Sequence, residues 1–303
     1  MILAKDFSMN QDHVAHSRPL RIAVAGATGR VGSALMARLA GEPVQLRALT
    51  RTPEAGRFTS QVELAAVDFD APATLAAAFQ GIDRAFIAHG TSPRQVANEI
   101  ALIDAAGAAG VRHIVKLSTF GAPSQLHPMD WHMLIEAHLA TRDVGYTVLR
   151  PSAFVEILAR AGAPVAHDAW GGAAGDGRVN FIDTRDVADA AHVALLDPAH
   201  AQSRRAYHLT GSRAWSMPGV AQELTRLLGR AVTYQHRSPE QHRAALLAAG
   251  ANDLMAGLLL GLDQVFRESA LAETTLTVEE LTGHAPRSVP AWLEENIALF
   301  RRA

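Results

Sequence analysis

Three glycines spaced by three, Gly26, Gly29 and Gly32, lie in the run AVAGATGRVG. The apolar LRIAVA of 20–25 precedes them, and Val31, Leu35 and Leu39 follow at helical spacing, so the loop joins a strand to a helix starting near Arg30. In that setting the first glycine permits a tight turn and the second lets backbone approach a pyrophosphate. The third allows close helix packing, and the helix N-terminus favours the anion. A dinucleotide site is expected; a glycine-rich turn without ligand is the competing reading. A second arrangement lies in MDWHMLIEAHL (129–139), where His132 and Glu136 stand one helical turn apart behind Trp131. An imidazole suits proton donation near neutrality, and a carboxylate one turn on can orient it. The alternative is a polar pair on a partly solvated helix.

The end of the second strand selects between cofactors, since an acid there binds a ribose hydroxyl and an arginine binds a 2′-phosphate. The chain reads Leu49-Thr50-Arg51-Thr52, with no acid. Arg51 offers phosphate a bidentate fork, with Arg30 placed to assist, so NADP is expected and NAD is the less favoured cofactor; the competing reading makes Arg51 a solvated surface charge. Asp68, closing the third strand, is placed either to meet the adenine or to cap the helix of 71–80. The only tyrosines are Tyr146, Tyr207 and Tyr234 and the only lysines Lys5 and Lys116, so a Tyr-x-x-x-Lys acid is excluded. Lys116 shares a strand face with Ser118 and suits a strand-edge or helix-facing ion pair better than a cofactor contact. The histidines are scattered and no metal site is expected.

These residues need a scaffold. Short apolar strands at 20–25, 44–51, 62–69, 83–90, 112–120 and 146–151 alternate with helices, including 71–80, 93–109 and 130–143. Such alternation implies right-handed crossovers in an α/β, doubly wound parallel sheet of Rossmann type, with the crevice at the strands' C-terminal ends. Residues 20–150 form the expected nucleotide domain, with 178–198 returning to it. Residues 151–177 and 199–303 form a smaller, discontinuous C-terminal substrate-binding region over the sheet's open end. Residues 1–19 read as a flexible arm. Trp131, Phe154, Trp170, Phe181 and Trp215 are candidates for an apolar wall, though aromatics are more often core. Gly171, Gly172, Gly175 and Gly177 suit a lid hinge or a plain turn. Across 303 residues the net charge is -2, so no basic excess points to nucleic acid. No apolar run is long enough to span a membrane, and the absence of cysteine fits a reducing cytoplasm.

AVAGATGRVG, the strand-end TR, AGAAGVRHIVKLST, HMLIEAHL followed by GYTVLRP, and GDGRVNFIDTRDVADAA occur in order from about residue 20 to 235. Together they resemble the NmrA-like, atypical short-chain dehydrogenase/reductase family, nearest its NAD(P)H:quinone oxidoreductase type 2 group. The resemblance implies NADPH binding and hydride delivery to a quinone or related conjugated carbonyl or imine; a dinucleotide-binding regulator without turnover is the family's alternative. By position it implies that Gly26, Thr28, Gly29, Arg30 and Val31 hold the pyrophosphate, and that Ala88, His89 and Gly90 flank the adenine-side ribose. Ser118 and Thr119 would lie beside the nicotinamide, in a pocket shaped by Pro151, Ser152 and Phe154. His132 would be the acid if one is used, oriented by Glu136 and with Ser118 as a hydrogen-bonding partner. Trp131, Phe154 and Trp170 would contact a small-molecule substrate. Monomer and homodimer remain open.

Overall fold

The computed structural model describes residues 18–53, 58–120 and 129–302. Six parallel strands come first: β1 (Leu20–Ala25), β2 (Val44–Thr50), β3 (Val62–Ala66), β4 (Arg84–Ile87), β5 (His113–Leu117) and β6 (Gly145–Pro151). The helices between them are α1 (Arg30–Leu39), α2 (Pro72–Phe79), α3 (Gln95–Ala108) and α4 (Met129–Ala140). All but the edge strand β3, which is partly exposed, are short and mostly buried runs, as a sheet covered on both faces requires.

After β6 come a 3-10 segment (Val155–Ala161), α5 (Gly162–Ala166), the short strands β7 (Gly171–Gly172) and β8 (Arg178–Asn180), and α6 (Thr184–Leu196). Then follow β9 (Arg204–Leu209), β10 (Ala214–Ser216), α7 (Met217–Leu228) and β11 (Gln235–His236). The chain finishes with α8 (Pro239–Ala248), α9 (Asp253–Arg267), α10 (Thr277–Thr282) and α11 (Val289–Glu295).

The sheet order is β3-β2-β1-β4-β5-β6-β9, with every neighbouring pair parallel. The order reverses between β1 and β4, and a crevice opens at that switch. Strand alternation divides the core. Ile22 and Val24 pack with Val31 and Leu35 of α1 and Val187 and Ala191 of α6. Ala23 and Ala25 face Leu75 and Phe79 of α2 and Leu102 and Ile103 of α3.

A third apolar cluster builds the C-terminal region from Val155, Leu158, Trp170, Phe181, Trp215, Phe266, Trp292 and Phe300. Phe181 and Trp215 therefore belong to its core, not to a substrate wall. The glycines of 171–177 are packed rather than set as a hinge. Gly171 and Gly172 pair with β11, and a Cβ on Gly177 would lie 2.1 Å from the Phe266 carbonyl oxygen.

Two boundaries differ from expectation. β9 joins the main sheet beside β6 and α10 packs on α6, so the nucleotide-binding body takes segments assigned to the covering region. Arg18, at the end of the supposed arm, donates to both carboxylate oxygens of Asp83 at 2.8 and 2.9 Å; the rest of the arm, 1–17, lies outside the described residues. No helix among the described residues is long and apolar enough to cross a membrane.

Candidate cofactor groove and active site

The three glycines sit where β1 turns into α1. Gly26 adopts φ +76°, open to glycine at little cost, and a Cβ there would lie 2.6 Å from the Ala88 carbonyl oxygen. A Cβ on Gly32 would lie 2.1 Å from the Gly26 carbonyl oxygen. The third glycine thus lets the helix close on the loop. Gly29 caps α1 without a side-chain hydrogen bond, and no acid occupies the first turn. The leading N–H groups of this ten-residue helix are left for an anion.

A groove of ≈ 1180 Å³ runs from this loop across the ends of β1, β2 and β4. Gly26, Thr28, Gly29, Arg51, Asp68, Ala88, His89 and Gly90 all line it, so the structure brings the expected cofactor residues together. Val31 is buried beneath the loop. Arg51 has no carboxylate partner among the described residues. Asp68 lines the groove and also organises its own turn, its Oδ1 accepting the Asp70 N–H at 2.9 Å. Sequence reasoning missed three features. Phe69 meets the His89 ring edge-on at 5.6 Å. Asn98 donates to His89 Nε2 at 2.9 Å while His89 Nδ1 donates to the Gly90 carbonyl oxygen at 2.6 Å, which fixes the ring. Arg94 pairs with Asp70 at 2.7 Å on the groove's rim. An i,i+4 reading of 94–98 on α3 would have placed Arg94 and Asn98 on one face.

Beyond Thr91 the groove continues into an apolar cavity of ≈ 370 Å³, and Thr91 lines both. Its wall includes Arg30, Thr119, Ser152, Phe154, Ile157 and Leu262. Arg30 therefore stands at the junction, at the other end of the site from Arg51. Ser152 is buried and its Oγ has no hydrogen-bond partner. Such a group costs about 1–3 kcal/mol if it stays unsatisfied, so its place on the wall marks a spot for a polar ligand group. Pro151 is buried at the end of β6, ahead of these wall residues.

The supposed catalytic trio lies elsewhere. Strand alternation turns Thr119 toward the cavity and Lys116 and Ser118 toward α4. The inward stripe of α4 is His132, Ile135, Glu136 and Leu139, spaced i, i+3, i+4, i+7. Lys116, fully buried, donates to the Leu117 carbonyl oxygen at 2.7 Å and to His132 Nδ1 at 3.0 Å. Its Nζ is 3.0 Å from Glu99 Oε2, in a helix-facing ion pair. Gln95 donates to Glu99 Oε1 at 2.9 Å, and its amide nitrogen is 3.3 Å from His132 Nε2.

Burial, and then the Lys116 charge, hold His132 well below the usual imidazole range. The expected near-neutral acid is thus a buried ring, disfavoured as a cation, inside a polar seam between sheet and helices. Glu136 does not orient it either. Glu136 accepts the Ser118 hydroxyl proton and binds Arg150, whose Nη2 is 2.5 Å from Oε2. That bond is the largest cause raising the guanidinium above its ordinary range. Ser118, Glu136 and Arg150 clamp β5, α4 and β6 together. Arg150 was missed because a strand arginine before a proline carries no motif. Trp131 and Trp170 do not contribute to the first cavity's described lining; Trp170 lines a second one. Asp186, Asp189 and His284 approach one another as metal ligands would. Arg287 and Arg38 already neutralise this cluster, at 2.9 and 2.6 Å from Asp189.

The groove, the uncapped helix end and the polar orphan on the pocket wall together describe a dinucleotide-binding protein. The comparisons agree. The NAD(P)H-binding family matches residues 26–198. The chain is 33% identical over 270 residues to quinone oxidoreductase 2 of Escherichia coli, covering 87% of this chain and 94% of that protein. It is 31% identical over 287 residues to an NAD(P)H azoreductase of Xenophilus azovorans, covering 93% and 100%. A crystal structure of the Escherichia coli NADPH-dependent quinone oxidoreductase complexed with NADPH superposes with a TM-score of 0.85 at 29% identity, covering 91% and 99%. The chain belongs to this NAD(P)H-binding family, as its NmrA-like motifs imply.

Proposed function

We propose that this chain is an NADPH-dependent reductase of quinones and related flat conjugated acceptors. The observation that carries the reading is continuity: the phosphate groove opens at Thr91 into an apolar cavity whose wall holds the unpartnered Ser152 Oγ. The names of two relatives, a quinone oxidoreductase and an azoreductase, support it. When bound, NADPH supplies the hydride, and the protein's contribution is placement and electrostatics. The N-terminus of α1, with Gly26, Thr28 and Gly29, holds the pyrophosphate. Arg51 takes the 2′-phosphate. Arg30, at the junction, serves the pyrophosphate side and is not Arg51's assistant. Ser152 satisfies its hydroxyl on the polar edge of the nicotinamide, and Thr119 lies beside it.

Phe154, Ile157 and Leu262 flank the acceptor and exclude water from its face. Reduction of a quinone leaves oxygens that water can protonate, so no side-chain acid is required. His132, packed against Lys116, is a positioning residue here, as are Ser118 and Glu136. They fix the end of β5, and so Thr119, against α4. The test is anaerobic NADPH oxidation with 1,4-naphthoquinone, a diaryl azo dye and a cyclic enone. Turnover of the quinone supports the reading. Micromolar NADPH binding with no turnover of any acceptor overturns it.

A further inference from the structure

A second cavity of ≈ 380 Å³ lies between α8, α9, the 3-10 segment 155–161 and β7. Ile157, Arg160, Leu259 and Leu262 line both this cavity and the apolar one beside the groove, so the two adjoin. Its walls are largely apolar, with Trp170 and Phe266 among them. Trp170 meets Tyr234 edge-on at 5.2 Å, and both line the cavity.

One corner is polar. Asp263 Oδ2 accepts the Ala173 N–H at 2.7 Å and lies 3.4 Å from His242 Nε2. The Tyr234 hydroxyl accepts the Ala174 N–H at 3.3 Å, which leaves its own proton to donate. A Cβ on Gly172 would lie 2.5 Å from that hydroxyl and 3.1 Å from Asp263 Oδ2, so both polar atoms converge beside this glycine. His242 Nδ1 is buried with no partner among the described residues. Burial raises the Asp263 carboxyl and lowers the His242 ring, against their mutual attraction. Ordinary core packing does not account for three converging polar groups on an otherwise apolar wall, one of which, His242 Nδ1, is buried without a partner.

We propose that this cavity is a subsite for the distal ring of a two-ring acceptor, and that the Tyr234–His242–Asp263 corner receives a phenolic hydroxyl on that ring. A saturated alkyl tail would fill the apolar walls and leave the corner unsatisfied. A phenol fits both, its ring against Trp170 and its hydroxyl donating into the corner. The substrate class is then a conjugated acceptor with an aryl substituent bearing a hydroxyl, the reducible ring lying in the first cavity. This rests on the reductase reading for what occupies that first cavity; the subsite is tested by binding alone.

The probe is 4-hydroxybiphenyl, which cannot be reduced, compared with 4-methoxybiphenyl, which cannot donate. Quenching of tryptophan fluorescence in the NADPH-loaded protein gives both dissociation constants, and Trp170 reports from the cavity itself. The wild-type protein should bind the phenol about three- to tenfold more tightly than the ether, since one neutral hydrogen bond is worth roughly that ratio. His242→Leu should abolish the preference, and Ala245→Phe, which fills the cavity from α8, should weaken both ligands at least tenfold. Equal affinity for phenol and ether in the wild-type protein overturns the proposal whether or not the variants fold. So does phenol binding that Ala245→Phe leaves unchanged. Selective phenol binding together with no reduction of any quinone would instead keep the subsite and reject the reductase.

Discussion

Removing the charge at Lys116 tests the seam that replaced the expected catalytic helix. Lys116 and Glu99 are both fully buried, 3.0 Å apart, and Glu99 has one further donor, Gln95. Lys116→Met keeps the volume and removes the charge and two donated hydrogen bonds. It leaves a buried carboxylate with a single hydrogen bond and His132 Nδ1 without its donor. Breaking a buried pair from one side costs about 3–5 kcal/mol, because the surviving charge is uncompensated. For a domain of this size that lowers Tm by roughly 6–20 °C, much of a typical stability of about 5–15 kcal/mol. Glu99→Gln in the same background removes the orphan charge, so the double variant should be more stable than Lys116→Met alone. Urea unfolding of wild type, both single variants and the double gives the coupling directly. A loss below about 1 kcal/mol for Lys116→Met, or a double variant that loses the sum of the two singles, would refute the seam as described.

Three further outcomes follow from the same geometry. Burial pushes His113 down to about 4, so its contribution to stability is present above the ordinary imidazole range and is lost as pH falls toward 4. His113→Gln should flatten the decline between pH 7 and 5 by about 1–2 kcal/mol in urea titrations, and an unchanged slope would contradict the assignment. Arg51→Ala removes a fork from a phosphate near −2 charge and should weaken NADPH about 10–100-fold while leaving NADH within about twofold; calorimetry showing equal losses would move the 2′-phosphate elsewhere. Gly32→Ala should weaken NADPH and lower Tm together, because the Gly26 carbonyl oxygen must move to admit a Cβ that would lie 2.1 Å away; unchanged affinity would show that the loop is not held by that contact.

What could be read from the chain was whatever local pattern determines. The strand–loop–helix around Gly26, the alternation of strands with helices and the placing of Arg51 at a strand end rest on periodicity and turn chemistry within ten or so residues, and the folded chain bears out those elements and that placing. The pairing of faces along β5 was also legible: Lys116 and Ser118 do share one side. What α4 presents was legible only in part. Its inward stripe contains His132 and Glu136, but which groups meet them depends on Glu99 of α3 and Arg150 of β6, segments that no spacing within the helix could specify. AYHLTG (206–211) reads as a strand, and β9 covers Arg204–Leu209, but its place in the main sheet beside β6 was not legible, because no local pattern names the partner strand. The second cavity draws on residues from Ile157 to Phe266 and has no local signature at all.

The most direct test of the central claim is a single-turnover experiment under anaerobic conditions. Enzyme loaded with stoichiometric NADPH is mixed with excess 1,4-naphthoquinone, and absorbance at the reduced nicotinamide band is followed with product analysis. The account predicts loss of one equivalent of NADPH with one equivalent of hydroquinone formed. NADPH that remains bound and unoxidised would contradict it.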